Sequence, residues 1–109
     1  MRARGDAEDE GFMFSQLSPA QIERLALLLE ELGEAQQAVG KILRHGYASR
    51  DPRNGQQNTG ALERELGDVL YAIQLLCDAG DVNQSLIDLA KRKKPERAEP
   101  YLHHQADGR

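Results

Sequence analysis

Two short acidic segments carry the same pattern, Glu31-Leu-Gly-Glu34 and Glu65-Leu-Gly-Asp68. In each copy the acids are three residues apart, which on a helix puts them one turn apart on a single face. The likeness extends past the acids. A shift of 34 positions carries Leu28, Leu32, Gly33, Ala38, Val39 and Gly46 onto Leu62, Leu66, Gly67, Ala72, Ile73 and Gly80. One acid pair at this spacing is ordinarily a solvated helix face. Two pairs in register on matching helices are different, because antiparallel packing of those helices brings four carboxylates to one level. Partly desolvated carboxylates so placed repel one another and hold their protons. A hard divalent cation removes the conflict: Mg²⁺ takes oxygen ligands and keeps waters for a phosphorylated partner, and helical bundles hold metals with inward carboxylates. Glu31, Glu34, Glu65 and Asp68 are therefore the candidate metal ligands, with Mg²⁺ the expected ion and Mn²⁺ a substitute.

The elements that must position these acids are helices. Ser18-Pro19 is a start signal, an N-cap residue followed by proline at the first helical position. No strong breaker follows until Gly46, which suits a left-handed helix end. This predicts a helix of about 27 residues, ~40 Å long. Its apolar seam is Leu25, Leu28, Leu32, Ala35, Val39 and Ile42, widened by Ile22, Leu29 and Leu43, a helical period rather than strand alternation. Residues 47–58 are rich in turn formers and read as a loop, carrying Arg50 and Arg53. Asn58 or Thr59 can cap a second helix running to Ala79, with the seam Leu62, Leu66, Val69, Ile73 and Leu76. With Leu62 at 0° and 100° per residue, that seam centres near ~20°, Glu65 falls at ~300° and Asp68 at ~240°. The acids thus lie on the apolar flank beside Ala72. A third helix is expected over about 82–93, stopped by Pro95.

The fold class expected is all-α: a helical hairpin with a shorter third helix, forming a four-helix-bundle core on dimerisation. Residues 1–17 read as a flexible acidic arm whose apolar triplet, Phe12-Met13-Phe14, is available to dock. Residues 18–94 read as the helical domain and 95–109 as a tail with His103 and His104. The chain of 109 residues has 14 basic and 18 acidic side chains and a formal net charge of −4. That balance disfavours a nucleic-acid partner, whose affinity comes from neutralised phosphates. No apolar run is long enough for a membrane helix, and the N-terminal stretch lacks the apolar region of a signal peptide. The single cysteine, Cys77, suits a reducing, cytoplasmic setting and lies on the second seam, where a core thiol is expected. A chain this small buries a modest share of its surface, so self-association is expected. Gly33 and Gly67 sit mid-helix at a cost of roughly 0.8–1 kcal/mol each against alanine, which points to close backbone approach or room for a ligand.

Glu30-Glu31-Leu-Gly-Glu34 followed by Glu65-Leu-Gly-Asp68 resembles the EExxE…ExxD signature of the MazG-like, all-α nucleoside triphosphate pyrophosphohydrolases. The resemblance covers about residues 25–94. It implies hydrolysis of a (deoxy)nucleoside triphosphate between the α- and β-phosphates, giving monophosphate and pyrophosphate. It also implies Mg²⁺ on Glu31, Glu34, Glu65 and Asp68, and Glu30 as the group that orients or deprotonates water. Relatives carry Lys, Asn and Arg at three-residue intervals in the last helix. The matching run here is Lys91, Lys94 and Arg97, with Lys94 in place of Asn, and these are candidates for the substrate phosphates. Lys41, Arg44, Arg50 and Arg53 are further cations that spacing does not single out. Such modules generally work as dimers or dimers of dimers. The rival reading is a helical interaction or regulatory module of the same fold without turnover.

Overall fold

The computed structural model describes residues 15–105. The elements are α1 (Pro19–His45), α2 (Asn58–Asp78), α3 (Gln84–Ala98) and a 3₁₀ turn at Glu99–Tyr101. The described residues form no strand, and their β pairing is an isolated antiparallel bridge between Arg50 and Gln57. The fold is all-α, as expected. Most of the acidic arm, including Phe12, Met13 and Phe14, lies outside the described residues.

Local chemistry explains most helix ends. At α1, the Gln21 amide donates to Ser18 Oγ (3.1 Å) and the Ser18 amide donates to Gln21 Oε1 (2.8 Å). This reciprocal pair satisfies two backbone donors at a terminus that otherwise lacks partners. Gly46 ends α1 with φ 89° and ψ 165°. That is an extended glycine conformation rather than the expected left-handed helical one. The start of α2 also departs from expectation. Gln57 occupies the cap position without a side-chain hydrogen bond. Asn58 is buried and its Nδ2 donates to the Gly46 carbonyl (3.0 Å), while Thr59 Oγ1 donates to the Tyr47 carbonyl (3.0 Å). Both side chains thus tie the loop back to the end of α1 instead of capping α2.

Pro95 does not stop α3, which runs on to Ala98. Proline removes one helical donor and crowds the carbonyl four residues earlier. Here that carbonyl belongs to Lys91, an exposed residue on a helix with no buried side chain, so solvent can serve it. The Glu99 amide, beyond the helix, still donates to the Pro95 carbonyl.

α1 packs against α2, whereas α3 packs on its own 3₁₀ turn and not substantially on the hairpin. The hairpin core is small: Ala35, Ala38, Ala72 and Leu76. The far end is tied by a two-pronged ion pair, Arg24 Nε to Asp81 Oδ2 at 2.6 Å and Nη2 to Oδ1 at 3.1 Å. The contact face is not the seam centre. On α2 the buried Ala72 and Leu76 project at ~280° and ~320°, so the contact centres near Glu65 at ~300°. Leu66 and Leu70, at ~40° and ~80°, remain 48% and 66% exposed. α1 behaves alike: Leu25, Leu29, Leu32, Val39 and Leu43 are all exposed. One edge of each broad apolar stripe closes the hairpin and the other edge is unpartnered within the chain.

Glycine supplies no close approach here. A Cβ built at Gly33 or Gly67 meets nothing within 4 Å, so the expected tight backbone contact is not made inside the chain. Cys77 is half-buried with a free thiol, at the margin of the core rather than within it.

Candidate metal centre

Because the hairpin closes on the flank that carries the acids, its four carboxylates meet between the helices. Glu31, Glu34, Glu65 and Asp68 each offer an oxygen, and these oxygens lie within 4.8 Å of one another. Glu31 and Glu65 occupy equivalent places in the two repeats and are half-buried; Glu34 and Asp68 are more open. The small residues Ala35, Ala38 and Ala72 around them let the two backbones come close enough for short acidic side chains to converge.

The electrostatics of the cluster are unbalanced. Glu31 Oε1 and Glu65 Oε1 are buried without a hydrogen-bond partner among the described residues. Glu65 Oε2 accepts from the Arg64 guanidinium at 3.4 Å, and Glu34 lies within hydrogen-bonding reach of the Glu65 carboxyl. Desolvation pushes the Glu31 carboxyl above its ordinary range, and the charges of Glu34, Asp68, Glu30 and Glu65 push it further. Glu34 is raised for the same reasons, desolvation first and then the charge of Glu65. Buried acceptors without donors are costly, and like charges in contact are costly too. An oxygen-only donor set of four carboxylates, two of them with orphaned buried oxygens, fits a hard divalent cation. It does not fit zinc or copper, which favour nitrogen and sulfur.

The remaining candidates are distributed unevenly. Glu30 is exposed and outside the four-oxygen group, yet its charge acts on both Glu31 and Glu34. Lys91, Lys94 and Arg97 are exposed on α3. Lys91 and Lys94 share a shallow groove with Pro95 and Leu102, and no acid of the cluster lines it. Within one chain they are not brought to the acids. His103 and His104 are exposed. Lys41 and Arg53, which spacing did not single out, line a cleft of about 200 Å³ together with Glu34 and Glu65. Arg44 and Arg50 are exposed, and Arg50 Nη1 donates to the Gly55 carbonyl (2.8 Å).

A residue that sequence reasoning passed over organises that cleft. Asp51 is 7% exposed and accepts from the Arg53 amide, from Arg53 Nε and Nη2, and from Lys41 Nζ. These bonds hold its carboxyl far below the ordinary carboxylate range, the Arg53 side chain contributing most and Lys41 next. The sequence signal was faint: one acid in an otherwise basic loop, Arg50-Asp51-Pro52-Arg53.

An α-helical hairpin with a carboxylate cluster between its long helices belongs to the class of bundles that build oxygen-ligand sites from facing helices. Comparison with protein families then gives the particular one. Residues 20–99 match the MazG nucleotide pyrophosphohydrolase domain, and the chain belongs to that family. No curated protein and no solved structure gives a significant match to the chain.

Proposed function

We propose that this chain hydrolyses a nucleoside or deoxynucleoside triphosphate at the α–β phosphate bond, dependent on Mg²⁺, to monophosphate and pyrophosphate. The observation that carries the reading is the convergence of Glu31, Glu34, Glu65 and Asp68 within 4.8 Å, two of them with orphaned buried oxygens, in a chain of the MazG family. These four residues would hold the ion, with Mn²⁺ as a substitute. When bound, it supplies positive charge against the phosphate oxygens and makes water a stronger nucleophile at neutral pH.

Water attacks the α-phosphorus as the bond to the α–β bridging oxygen breaks, and pyrophosphate departs with that electron pair. The proton of the attacking water goes to a carboxylate, for which Glu30 is the candidate: it is solvent-facing but close enough for its charge to act on Glu31 and Glu34. Lys91, Lys94 and Arg97 take part in this reading on the cleft of a second copy, since in their own chain they share none with the acids. The unpartnered apolar edge of the hairpin, Leu29, Leu43, Leu66 and Leu70 above all, supports a homodimer or a dimer of dimers. No described helix is long and apolar enough to cross a membrane, and the free Cys77 thiol accords with a reducing, cytoplasmic setting.

The deciding experiment measures pyrophosphate release from a panel of NTPs and dNTPs with Mg²⁺, for the parent protein and for Glu65→Ala. Release that depends on Mg²⁺ and disappears in the variant is the expected result. No release from any nucleotide would overturn the reading and leave a helical interaction module.

A further inference from the structure

Lys41 and Arg53 face the acid cleft as a pair because one buried carboxylate holds both. Asp51 Oδ2 accepts from Lys41 Nζ at 2.9 Å and from Arg53 Nη2 at 2.8 Å, and Oδ1 accepts from Arg53 Nε at 3.1 Å. The Arg53 amide adds a further bond to Oδ1 at 2.8 Å. With four donors on its two oxygens, Asp51 has no capacity left to join the neighbouring acids around a cation. Its role is to orient the two bases.

The bases keep most of their own capacity. A lysine ammonium has three donors and an arginine side chain five; Asp51 occupies one of the former and two of the latter. The Arg53 side chain is 82% exposed and that of Lys41 33%. Two positive charges against one negative leave the cluster net positive, beside an acid cluster that is net negative. Both bases, with Asp51, line the cleft of about 200 Å³ that holds Glu34 and Glu65, and also a second cleft of about 420 Å³. They form the wall common to the two. Lys41 follows Glu34 on α1 by two helical turns, roughly 10 Å on nearly the same face.

A cation site and an anion site side by side match a ligand with several phosphates, part neutralised by metal and part by fixed donors. We propose that Lys41 and Arg53, aligned by Asp51, form the binding site for the polyphosphate tail of the substrate. The proposal rests on the nucleotide reading above and assigns to the end of α1 and the loop after it a contact that α3 does not supply within this chain. Asp51 is a positioning residue and not a ligand. Arg53 is suited to bidentate grip of phosphate oxygens, Lys41 to a point-charge contact.

The test uses the full chain and inorganic pyrophosphate, titrated calorimetrically with Mg²⁺, so that no turnover is needed. Arg53→Gln should weaken pyrophosphate binding about tenfold or more, as loss of a charge-assisted contact does, and Lys41→Gln should act in the same direction; circular dichroism and thermal unfolding of each variant confirm that it is folded before titration, because both side chains also serve the buried Asp51. Asp51→Asn should raise KM for the nucleotide with kcat held, whereas a folding defect alone lowers apparent kcat and leaves KM unchanged. Pyrophosphate binding that is absent in the parent, or equal in the parent and both base variants, would overturn the clamp. A parent that binds pyrophosphate through Arg53 but hydrolyses no nucleotide keeps the clamp and loses the reaction, so the two failures are separable.

Discussion

Glu65→Gln should change stability in opposite directions with and without divalent metal. In the metal-free protein Glu65 is one of four carboxylates within 4.8 Å, and its Oε1 is buried without a partner among the described residues. Replacing it with an amide of the same shape removes one of the repelling charges, so the metal-free variant should melt at a higher temperature than the parent. The metal-bound comparison reverses. A ligand that binds the folded state stabilises it by RT ln(1 + [L]/Kd), about 2.7 kcal/mol at 100 times Kd. For a domain of this size that is roughly 10–20 °C in Tm. If loss of one of four carboxylates weakens binding a hundredfold, the same Mg²⁺ concentration equals the new Kd, and the gain falls to RT ln 2, about 0.4 kcal/mol. Thermal unfolding of both proteins in EDTA and in Mg²⁺ reads all four values. A variant that is less stable than the parent in EDTA, or that keeps the parent's full Mg²⁺ shift, would refute the argument that these carboxylates are uncompensated and jointly hold a cation.

Four further outcomes follow from the same geometry. Glu31 and Glu34 have folded pKa values raised above the ordinary 4.5, so they stabilise the metal-free protein when protonated and lose that contribution as pH rises through the raised values. The EDTA-treated protein should therefore soften from about pH 4.5 upward, with the Mg²⁺-induced shift growing over the same range. Asp51 and Asp81 are depressed below 3.8; their contribution is full above that value and fades as pH falls through the depressed ones, giving a separate acid limb in a Tm–pH profile. Ala72 is fully buried where the helices meet, so Ala72→Leu should cost about 1–3 kcal/mol by overpacking and, by spreading the helices, weaken Mg²⁺ binding in a calorimetric titration; an unchanged Mg²⁺ affinity would show that helix spacing does not set the site. Leu70, 66% exposed on the unpartnered face, is the place to break self-association: Leu70→Glu should sediment as a smaller species than the parent, and identical sedimentation would remove this face from any interface.

The acids were readable in the chain because their meaning lies in register. Two i, i+3 pairs at matching places on two helices must meet if the helices pack antiparallel, and helix phase is one of the things a periodic pattern fixes well. The angle at which the hairpin closes was not fixed in the same way. The apolar stripe of each helix is broad, and nothing in the leucine spacing distinguishes the edge used within the chain from the edge left for another surface. The closing edge carries Ala35, Ala38 and Ala72, residues that a hydrophobicity pattern ranks below leucine, and the choice is made by how closely the backbones approach. Pro95 reads as a stop in the sequence, yet α3 continues through it to Ala98; the compensation visible there is that the Lys91 carbonyl, which loses its donor, belongs to an exposed residue that solvent can serve. Asp51 was invisible because its partners come from a closed loop. Lys41 is ten residues away on α1, and only the fold brings its ammonium to 2.9 Å.

Site and assembly are linked through that choice of edge. A carboxylate quartet needs helices near enough for Glu and Asp side chains to share one point, and alanines between the helices allow it. Alanine, however, buries little apolar area, and hydrophobic stabilisation scales with the area removed from water. The hairpin core of Ala35, Ala38, Ala72 and Leu76 is therefore a weak holder for four repelling charges. Metal can cancel the charges, but it cannot cover Leu29, Leu43, Leu66 and Leu70, which are each about half exposed or more. Apart from Leu76, the larger aliphatic residues lie outside the hairpin contact and face outward on the opposite edge of the same stripes. A second surface placed there would restore the buried area that the acid site forgoes, and would stiffen the spacing on which the four carboxylates depend.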